Sequence, residues 1–205
     1  MALTFYYSPQ SSASRVHDTL TALGIPYEEK RVDLRAGDQK KPEFLALNPN
    51  GKVPTIVLDG TPMFESIAIQ IALGERFGVE KGLWPALGSP EHLTALTWLC
   101  WGQVTLGASL FRYMHNTSEW HPKEQHNAAQ AAAALKELGE QIGMLDAHLK
   151  GRDFVTGPRL TLADIDLVSV LGWGLDFAKV DTTPYPNVAA WIARTRKRLP
   201  PHSAS

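Results

Sequence analysis

Two short segments carry residue types that suit the binding of a short, charged peptide. The first is Val53-Pro54, which stands directly before the apolar run Thr55–Leu58. Proline cannot donate to a strand ladder and belongs at a strand's first residue or edge. A cis bond, which X-Pro pairs adopt at small cost, would turn the valine N–H and C=O outward to pair with a bound peptide. The second is Glu65-Ser66 at the start of an apolar helical run, where the helix N-terminus attracts anions.

A cluster of serines precedes the first helical run: Ser8, Ser11, Ser12 and Ser14. One role for such residues is N-capping, because a hydroxyl satisfies the free N–H groups of a helix start. The same geometry allows a hydroxyl to donate a hydrogen bond to a bound thiolate, whose charge the helix dipole favours. A free thiol has a pKa of about 8.5, which must fall by about one or two units for the thiolate to be abundant at pH 7. The residue types alone leave both roles open.

The elements that must position these residues alternate between strand and helix. Residues Leu3–Tyr7 read as a strand, and apolar residues at helical spacing follow up to Gly24, a helix stop. A second strand is predicted over 27–34, and a polar, Lys-rich loop over 37–41. A hairpin over 55–64, with an Asp-Gly turn, precedes a helix over 67–77. The predicted order is βαβ followed by ββα.

The rest of the chain has a different pattern. Residues 79–90 contain several glycines and prolines and little periodicity, which is typical of a linker. No strand is predicted from residue 91 onward. Helices are predicted over 90–115, 122–149, 161–177 and 186–199, and a loose tail over 200–205.

The composition excludes several classes of function. The chain has 205 residues, of which 44% are hydrophobic and 20% charged, and a net charge of -1 gives no electrostatic reason to expect nucleic acid or a membrane as partner. No run approaches the roughly 20 apolar residues of a membrane span, and the first residues are unlike a signal peptide. The single cysteine, Cys100, excludes an internal disulfide and is predicted to be a buried structural thiol. The seven histidines show no metal-binding spacing. We therefore predict a cytoplasmic protein without a metal.

Four motifs, in this order, carry a resemblance to a known family: Tyr6-Tyr7-Ser8-Pro9 before the serine cluster, Asn48-Pro49 with Val53-Pro54, Glu65-Ser66, and Leu160-Thr161-Leu162-Ala163-Asp164. Over nearly its whole length the chain resembles the cytosolic glutathione transferases, of a serine-type, bacterial-like kind similar to the theta, delta and zeta-like branches. The resemblance implies a thioredoxin-like, glutathione-binding domain over 1–78, a linker over 79–90 and an all-helical domain over 91–205. The Thr161–Asp164 motif is a capping box with a structural role.

The resemblance also implies a catalytic residue. Ser11 matches the position of the family's catalytic serine, with its neighbour Ser12 as the alternative. Other branches use a tyrosine at the end of the first strand, which makes Tyr6 and Tyr7 the next candidates, although strands favour tyrosine for packing. Residues 10–14 contain no cysteine, so thiol–disulfide exchange through an enzyme cysteine is excluded at this place.

The family's binding residues carry over to positions of this chain. The Val53 backbone would pair with the cysteinyl unit of glutathione, Ser66 would bind the γ-glutamyl carboxylate, and Glu65 would bind the γ-glutamyl ammonium. Two further positions match residues that often meet the glycyl carboxylate. The complete predicted glutathione set is Gln39, Lys52, Val53, Pro54, Glu65 and Ser66.

The resemblance places an apolar electrophile pocket between the two domains. Its predicted lining residues are Leu106, Leu110, Arg112 and Tyr113, with Trp173 and Phe177 as alternative walls. A row of aromatic and aliphatic residues on a helix is equally typical of a core.

The implied activity is attack of the glutathione thiolate on a small hydrophobic electrophile, with glutathione as co-substrate and no other cofactor. The alternatives are a glutathione-dependent isomerase or dehalogenase, and a non-catalytic ligand-binding or assembly module. The family also implies a homodimer formed through the helices over 66–77 and 90–115.

Overall fold

The computed structural model of the chain describes residues 1–199, and the predicted tail over 200–205 lies outside them. The N-terminal part is a four-stranded sheet of β1 (Leu3–Tyr7), β2 (Glu28–Arg31), β3 (Thr55–Leu58) and β4 (Thr61–Phe64), in the order β2-β1-β3-β4. β1 is parallel to β2 and antiparallel to β3, and β3 is antiparallel to β4. This is the predicted thioredoxin-like arrangement.

The sheet interior and its edge differ in composition. Phe5 and Ile56, directly opposite each other on β1 and β3, are fully buried. β2 consists of four exposed charged residues at an edge and is shorter than the predicted strand over 27–34. Charged side chains suit an edge strand because they discourage pairing with other chains.

Three helices belong to this part: α1 (Ala13–Leu23), α2 (Pro42–Leu45) and α3 (Ser66–Leu73). α1 ends at Gly24, which has the left-handed conformation and donates to the Leu20 and Thr21 carbonyls. A 3-10 turn (Asp38–Lys40) occupies the predicted Lys-rich loop, and α2 follows it. α3 continues into a π-helical turn (Gly74–Gly78). The Trp84 side chain packs against both glycines of this turn, where an added Cβ would lie 2.6 to 2.7 Å from it.

The second part consists of helices: α4 (Pro90–Trp101), α5 (Gly107–His115), α6 (Ala128–Leu149), α7 (Leu162–Ala178) and α8 (Pro186–Arg196). A π-helical turn (Gly102–Leu106) joins α4 to α5, so the predicted helix over 90–115 is one interrupted rod. α6 begins six residues later than predicted, because Asn127 caps it by accepting from the Gln130 N–H at 3.0 Å. None of the helices among residues 1–199 is long and apolar enough to cross a membrane.

α7 lies at the centre of the helical part, and the predicted capping box at its start is present. Asp164 is fully buried; its Oδ2 accepts from the Thr161 N–H at 2.9 Å, and its Oδ1 accepts from the Trp191 indole at 2.9 Å and the Val155 N–H at 2.8 Å. Burial raises the pKa of this carboxyl, against the effect of these hydrogen bonds. The prediction for Cys100 was wrong: its side chain is exposed, because it lies on the face of α4 opposite the buried Ala95.

Candidate functional site

Three loops meet at one edge of the sheet, and each carries residues predicted for the site. The registers pair the end of β1 with the start of β3, and the start of β3 with the end of β4. The serine loop that follows β1, the Val53-Pro54 segment that precedes β3 and the Glu65-Ser66 segment that follows β4 therefore lie at the same edge. α1 and α3 also begin there, so two helix N-termini point to one place.

In the serine loop, the two candidate hydroxyls have different partners. Ser11 Oγ accepts from the Ala13 N–H at 3.2 Å and donates to the Ser8 carbonyl at 2.6 Å. Ser12 Oγ donates to the Val53 carbonyl at 3.2 Å, which connects the serine loop to the start of β3. Ser12 is the N-cap residue of α1 by position but its hydroxyl joins two loops of the site, and Ser11 accepts from the first N–H of the helix.

The Val53–Pro54 bond is cis, as predicted. The Val53 carbonyl is already hydrogen-bonded, however, because it accepts from the Ser12 hydroxyl. Asn48 holds the preceding loop: its side-chain amide donates to the Lys52 carbonyl at 2.7 Å and to Thr55 Oγ1 at 3.0 Å. Asn48 is almost fully buried, and these hydrogen bonds satisfy its side-chain amide and the groups it contacts.

At Glu65 the backbone has φ 69° and ψ 116°, a conformation that residues other than glycine rarely adopt. Glu65 is exposed, and the next residue, Ser66, is buried as the first residue of α3. Strained backbone of this kind is common at ligand sites, where the surrounding structure holds it in place.

Gln39 and Lys52 lie on neighbouring loops. Gly51, which precedes Lys52, has φ 59°, and a Cβ there would stand 2.8 Å from the Gln39 carbonyl. The Gln39 side-chain amide donates to the Leu34 carbonyl at 3.2 Å, and its Oε1 is buried without a partner among residues 1–199. The structure thus brings the two predicted residues together at the rim of the site.

The two tyrosines of β1 are engaged in packing. The Tyr7 ring stacks on Phe5 with 5.6 Å between centroids, and the Tyr6 ring meets Phe44 edge-on at 5.9 Å. These contacts agree with the packing role that strands give to tyrosine.

The four residues predicted for the electrophile pocket lie in three different environments. Leu106 and Leu110 are buried and line a small apolar pocket of about 10 Å³, roughly the room that one water molecule needs. Arg112 forms an ion pair with Glu137 of α6, which also accepts from the Ser109 hydroxyl at 3.1 Å. The hydrogen bond from Arg112 holds the pKa of Glu137 below its usual range.

The fourth, Tyr113, belongs to what we call the aromatic cluster: Tyr113, Trp120, Trp173 and Phe177. The Trp120 and Trp173 rings are parallel within 2° at 6.2 Å, and the Trp173 and Phe177 rings are 5.6 Å apart. Tyr113 meets Phe177 edge-on at 6.2 Å. Trp120 is 66% exposed and Trp173 45% exposed, an unusual amount for tryptophan. Exposed apolar groups that adjoin one another are typical of binding surfaces.

α7 connects the aromatic cluster to α1. Asp166 of α7 is fully buried against Arg15, in the first turn of α1. Val170 and Trp173 follow Asp166 on the same face of α7, and exposure increases along this row. The row of α7 residues that contacts α1 at Asp166 is therefore exposed further along the helix, at Trp173 of the aromatic cluster.

The fold and the site define a thioredoxin-like domain joined to an all-helical domain, with two helix N-termini and a cis-proline at one edge. Two family models match the chain: Glutathione S-transferase, N-terminal domain, over residues 8–76, and Glutathione S-transferase, C-terminal domain, over residues 93–198. Glutathione S-transferase D7 of Drosophila melanogaster is 30% identical over 204 residues, which span 97% of this chain and 86% of that protein. The chain belongs to the cytosolic glutathione transferase family, and its enzyme class is glutathione S-transferase.

Solved structures agree with this assignment. A delta-class glutathione transferase of Nilaparvata lugens has a TM-score of 0.84 at 28% identity, covering 98% of this chain and 91% of that one. The glutathione transferase URE2P6 of Phanerochaete chrysosporium, solved in complex with oxidized glutathione, has a TM-score of 0.86 at 23% identity and covers 96% of this chain and 91% of that one. The second likeness supports the fold alone.

The residues near the site that the sequence did not reveal are Arg15, Gln70 and Asp166. Their side chains are buried and polar, and their hydrogen bonds join elements that are distant in sequence. Among residues 1–199, no cluster of three histidine, cysteine or acidic side chains is arranged to hold a metal ion.

Proposed function

We propose that Ser11 activates glutathione by donating a hydrogen bond from its hydroxyl to the thiolate. The observation that carries this proposal is the place of Ser11: its hydroxyl accepts from the first N–H of α1, at the edge where the cis-proline and the start of α3 also lie. The Ser11 hydroxyl proton is donated to the Ser8 carbonyl at 2.6 Å, so donation to a thiolate requires the hydroxyl to rotate away from this carbonyl, while the bond from the Ala13 N–H uses a lone pair of the oxygen. The dipole of α1 adds to the stabilisation of the thiolate.

Ser12 is the less favourable candidate for this role. Both hydroxyl protons are directed to carbonyls, but the Ser11 bond to Ser8 lies within the serine loop, whereas donation from Ser12 to a thiolate would break the connection between the serine loop and β3. We assign to Ser12 the shaping of the cysteinyl subsite through Val53.

The rest of glutathione would extend along the same edge. The backbone of Val53, shaped by Pro54, would pair with the cysteinyl unit, and the α3 N-terminus with Ser66 would bind the γ-glutamyl carboxylate. The exposed, strained Glu65 would bind the γ-glutamyl ammonium. Gln39 and Lys52, on adjoining loops, would meet the glycyl carboxylate.

The thiolate would attack an electrophilic carbon: the S–C bond forms, and the electron pair leaves with a departing group or moves into a conjugated acceptor. We propose that the electrophile is a small hydrophobic molecule with a flat ring, which rests on the aromatic cluster. The support is the parallel, exposed set of rings, because offset stacking between aromatic rings is favourable. Of the predicted lining residues, Tyr113 belongs to the aromatic cluster, and Leu106 and Leu110 lie in the core.

The thiolate assignment is tested by the ultraviolet absorbance of enzyme-bound glutathione as a function of pH. We expect the bound thiol to titrate about one or two units below a free thiol, and Ser11→Ala to raise its pKa by about one unit. Ser14→Ala is the matched control, since its exposed hydroxyl bonds only the Ser11 carbonyl among the contacts of the described chain. A Ser11→Ala enzyme with an unchanged thiol pKa and rate would overturn the assignment.

We further propose that two copies of the chain form a homodimer in the cytoplasm, where the single cysteine stays reduced. The support is an exposed row along α4, the π-helical turn and α5. Its apolar members are Leu93, Val104 and Phe111, which are 59%, 67% and 62% exposed. This row is a natural interface because exposed apolar side chains at one helical face need a partner.

A further inference from the structure

One buried carboxylate of the helical part contacts both helices that begin at the glutathione edge. Asp166 of α7 accepts from Arg15 Nε of α1 at 2.6 Å, and Arg15 Nη2 bonds its other oxygen. Gln70 of α3 donates from Nε2 to Asp166 Oδ1 at 2.7 Å. Gln70 also lies within hydrogen-bond distance of the Arg15 carbonyl and the Thr19 hydroxyl, at 3.3 and 3.2 Å. We call Arg15, Thr19, Gln70 and Asp166 the Asp166 network.

The spacing of these residues connects the network to the proposed site. Arg15 is the third residue of α1, which begins two residues after Ser11, and Gln70 lies four residues, about one turn, after Ser66 on α3. One carboxylate therefore bonds the first turn of α1, which directly follows the serine loop with Ser11, and reaches α3 one turn after Ser66.

Stability alone is a weak explanation for this network. A buried ion pair costs desolvation, and apolar side chains of similar volume commonly give equal or greater stability. Gln70 Oε1, moreover, is buried without a partner among residues 1–199, which costs free energy that an apolar residue would avoid. What apolar packing cannot supply is directional bonds that set the relative height and rotation of two helix N-termini.

We propose that Asp166 is a positioning residue for glutathione activation, which acts through Arg15 and Gln70 to align the N-termini of α1 and α3. The inference rests on the proposed roles of Ser11 and Ser66. The γ-glutamyl group fixed at α3 and the thiolate fixed at α1 belong to one molecule, so a shift between the two helices moves the sulfur relative to the Ser11 hydroxyl. Because a misplacement of about 1 Å in a reacting group can lower a rate by about a hundredfold, this alignment has a measurable effect.

The test uses two variants designed to leave no charge buried without its partner. Gln70→Met keeps the side-chain volume and removes the bond between α3 and Asp166. The double variant Arg15→Met with Asp166→Leu removes both charges together, so that neither is left buried and unpaired. Asp164→Asn is the matched control: this second buried carboxylate of α7 caps its own helix and contacts Val155, Thr161 and Trp191, and not α1 or α3.

The measured quantities are the pKa of the enzyme-bound glutathione thiol and the KM and kcat for glutathione. For Gln70→Met we expect the thiol pKa to rise by about half a unit to one unit, which lowers the rate about threefold to tenfold at pH 6.5 and much less at pH 9. The double variant should show the same or a larger shift. Asp164→Asn should lower the melting temperature and leave the thiol pKa of the folded enzyme unchanged.

The outcomes separate this proposal from the one on which it rests. If Ser11→Ala raises the thiol pKa and Gln70→Met leaves both pKa and KM unchanged, the positioning role is wrong and the role of Ser11 stands. If Ser11→Ala also has no effect, the proposed activation itself has failed. Should the double variant not fold, the result with Gln70→Met decides.

Discussion

At the scale of single residues, the site depends on which atom each hydroxyl proton is directed to. Ser11 and Ser12 are adjacent and chemically identical, yet Ser11 donates to the Ser8 carbonyl within its own loop and Ser12 donates to a carbonyl across the site. The sequence could name the serine cluster but could not separate the two by their contacts. The partner of Ser12 is Val53, which lies 41 residues away in sequence.

This difference leads to a prediction for Ser12→Ala. Removing the hydroxyl leaves the Val53 carbonyl without its partner and loosens the cysteinyl subsite, at a cost of about 1 kcal/mol. We expect the KM for glutathione to rise about threefold to tenfold, while the pKa of the bound thiol stays within a few tenths of a unit of the unmodified enzyme. Steady-state kinetics and the thiolate absorbance measure the two effects. A large rise in the thiol pKa with unchanged KM would show that Ser12, and not Ser11, meets the sulfur.

At the scale of secondary-structure elements, the ion pair between Arg112 of α5 and Glu137 of α6 leads to a prediction about how stability changes with pH. The pKa of Glu137 is lowered in the folded protein, first by the hydrogen bond from Arg112 and then by that from Ser109. A carboxyl with a depressed folded pKa contributes stability above its unfolded pKa of about 4.3 and loses it as the pH falls through the folded value.

We therefore expect acidification from pH 6 to pH 3 to lower the melting temperature of the unmodified protein more than that of Glu137→Gln. Glu140→Gln is a matched control on the same helix, since Glu140 Oε1 lies 3.7 Å from Lys136 Nζ in an exposed pair. Thermal unfolding followed by circular dichroism gives the melting temperatures of the unmodified protein and of the two variants at each pH. Identical pH profiles for the unmodified protein and Glu137→Gln would contradict the pairing.

The sequence predicted most elements because their signals are local. The strand Leu3–Tyr7, the stop at Gly24 and the capping box at Thr161 depend on residues close to one another in the chain. The π-helical turn after α4 was not predicted, and its first residue, Gly102, adjoins a distant part of the chain. A Cβ at Gly102 would stand 2.5 Å from Leu167 Cδ2, so the glycine allows α7 to come close.

The same distinction applies to the site. The loops that carry Ser11, Val53 and Ser66 were predictable as motifs, and the strand pairing explains why they meet. The buried residues that hold them, such as Asp166, have ordinary types and no local pattern. Arg112 gives a further example: an arginine could bind a polar group of an electrophile, but the guanidinium of Arg112 is paired with Glu137 from another helix.

At the scale of the whole molecule, the exposed row on α4 and α5 leads to a prediction about assembly. The row continues through Thr97, Cys100 and Ala108, all exposed, so that one face of the rod has small or apolar side chains over its whole length. The mass of one chain is 22.6 kDa. If this face is the interface of a homodimer, the protein in solution should have about twice that mass.

Val104→Glu tests this interface, because in a two-fold dimer it places a charge from each chain in an apolar contact. We expect sedimentation equilibrium to show the mass of one chain for this variant and of two chains for the unmodified protein. Met144→Glu on α6 is the matched control, since Met144 is 48% exposed and lies on a helix outside the row. Dissociation by Val104→Glu alone would assign the interface to α4 and α5, whereas a monomeric unmodified protein would contradict the homodimer. Because the row and the Asp166 network involve different faces of the helical part, a dissociated Val104→Glu protein that still lowers the glutathione thiol pKa would show that each subunit contains a complete activating site.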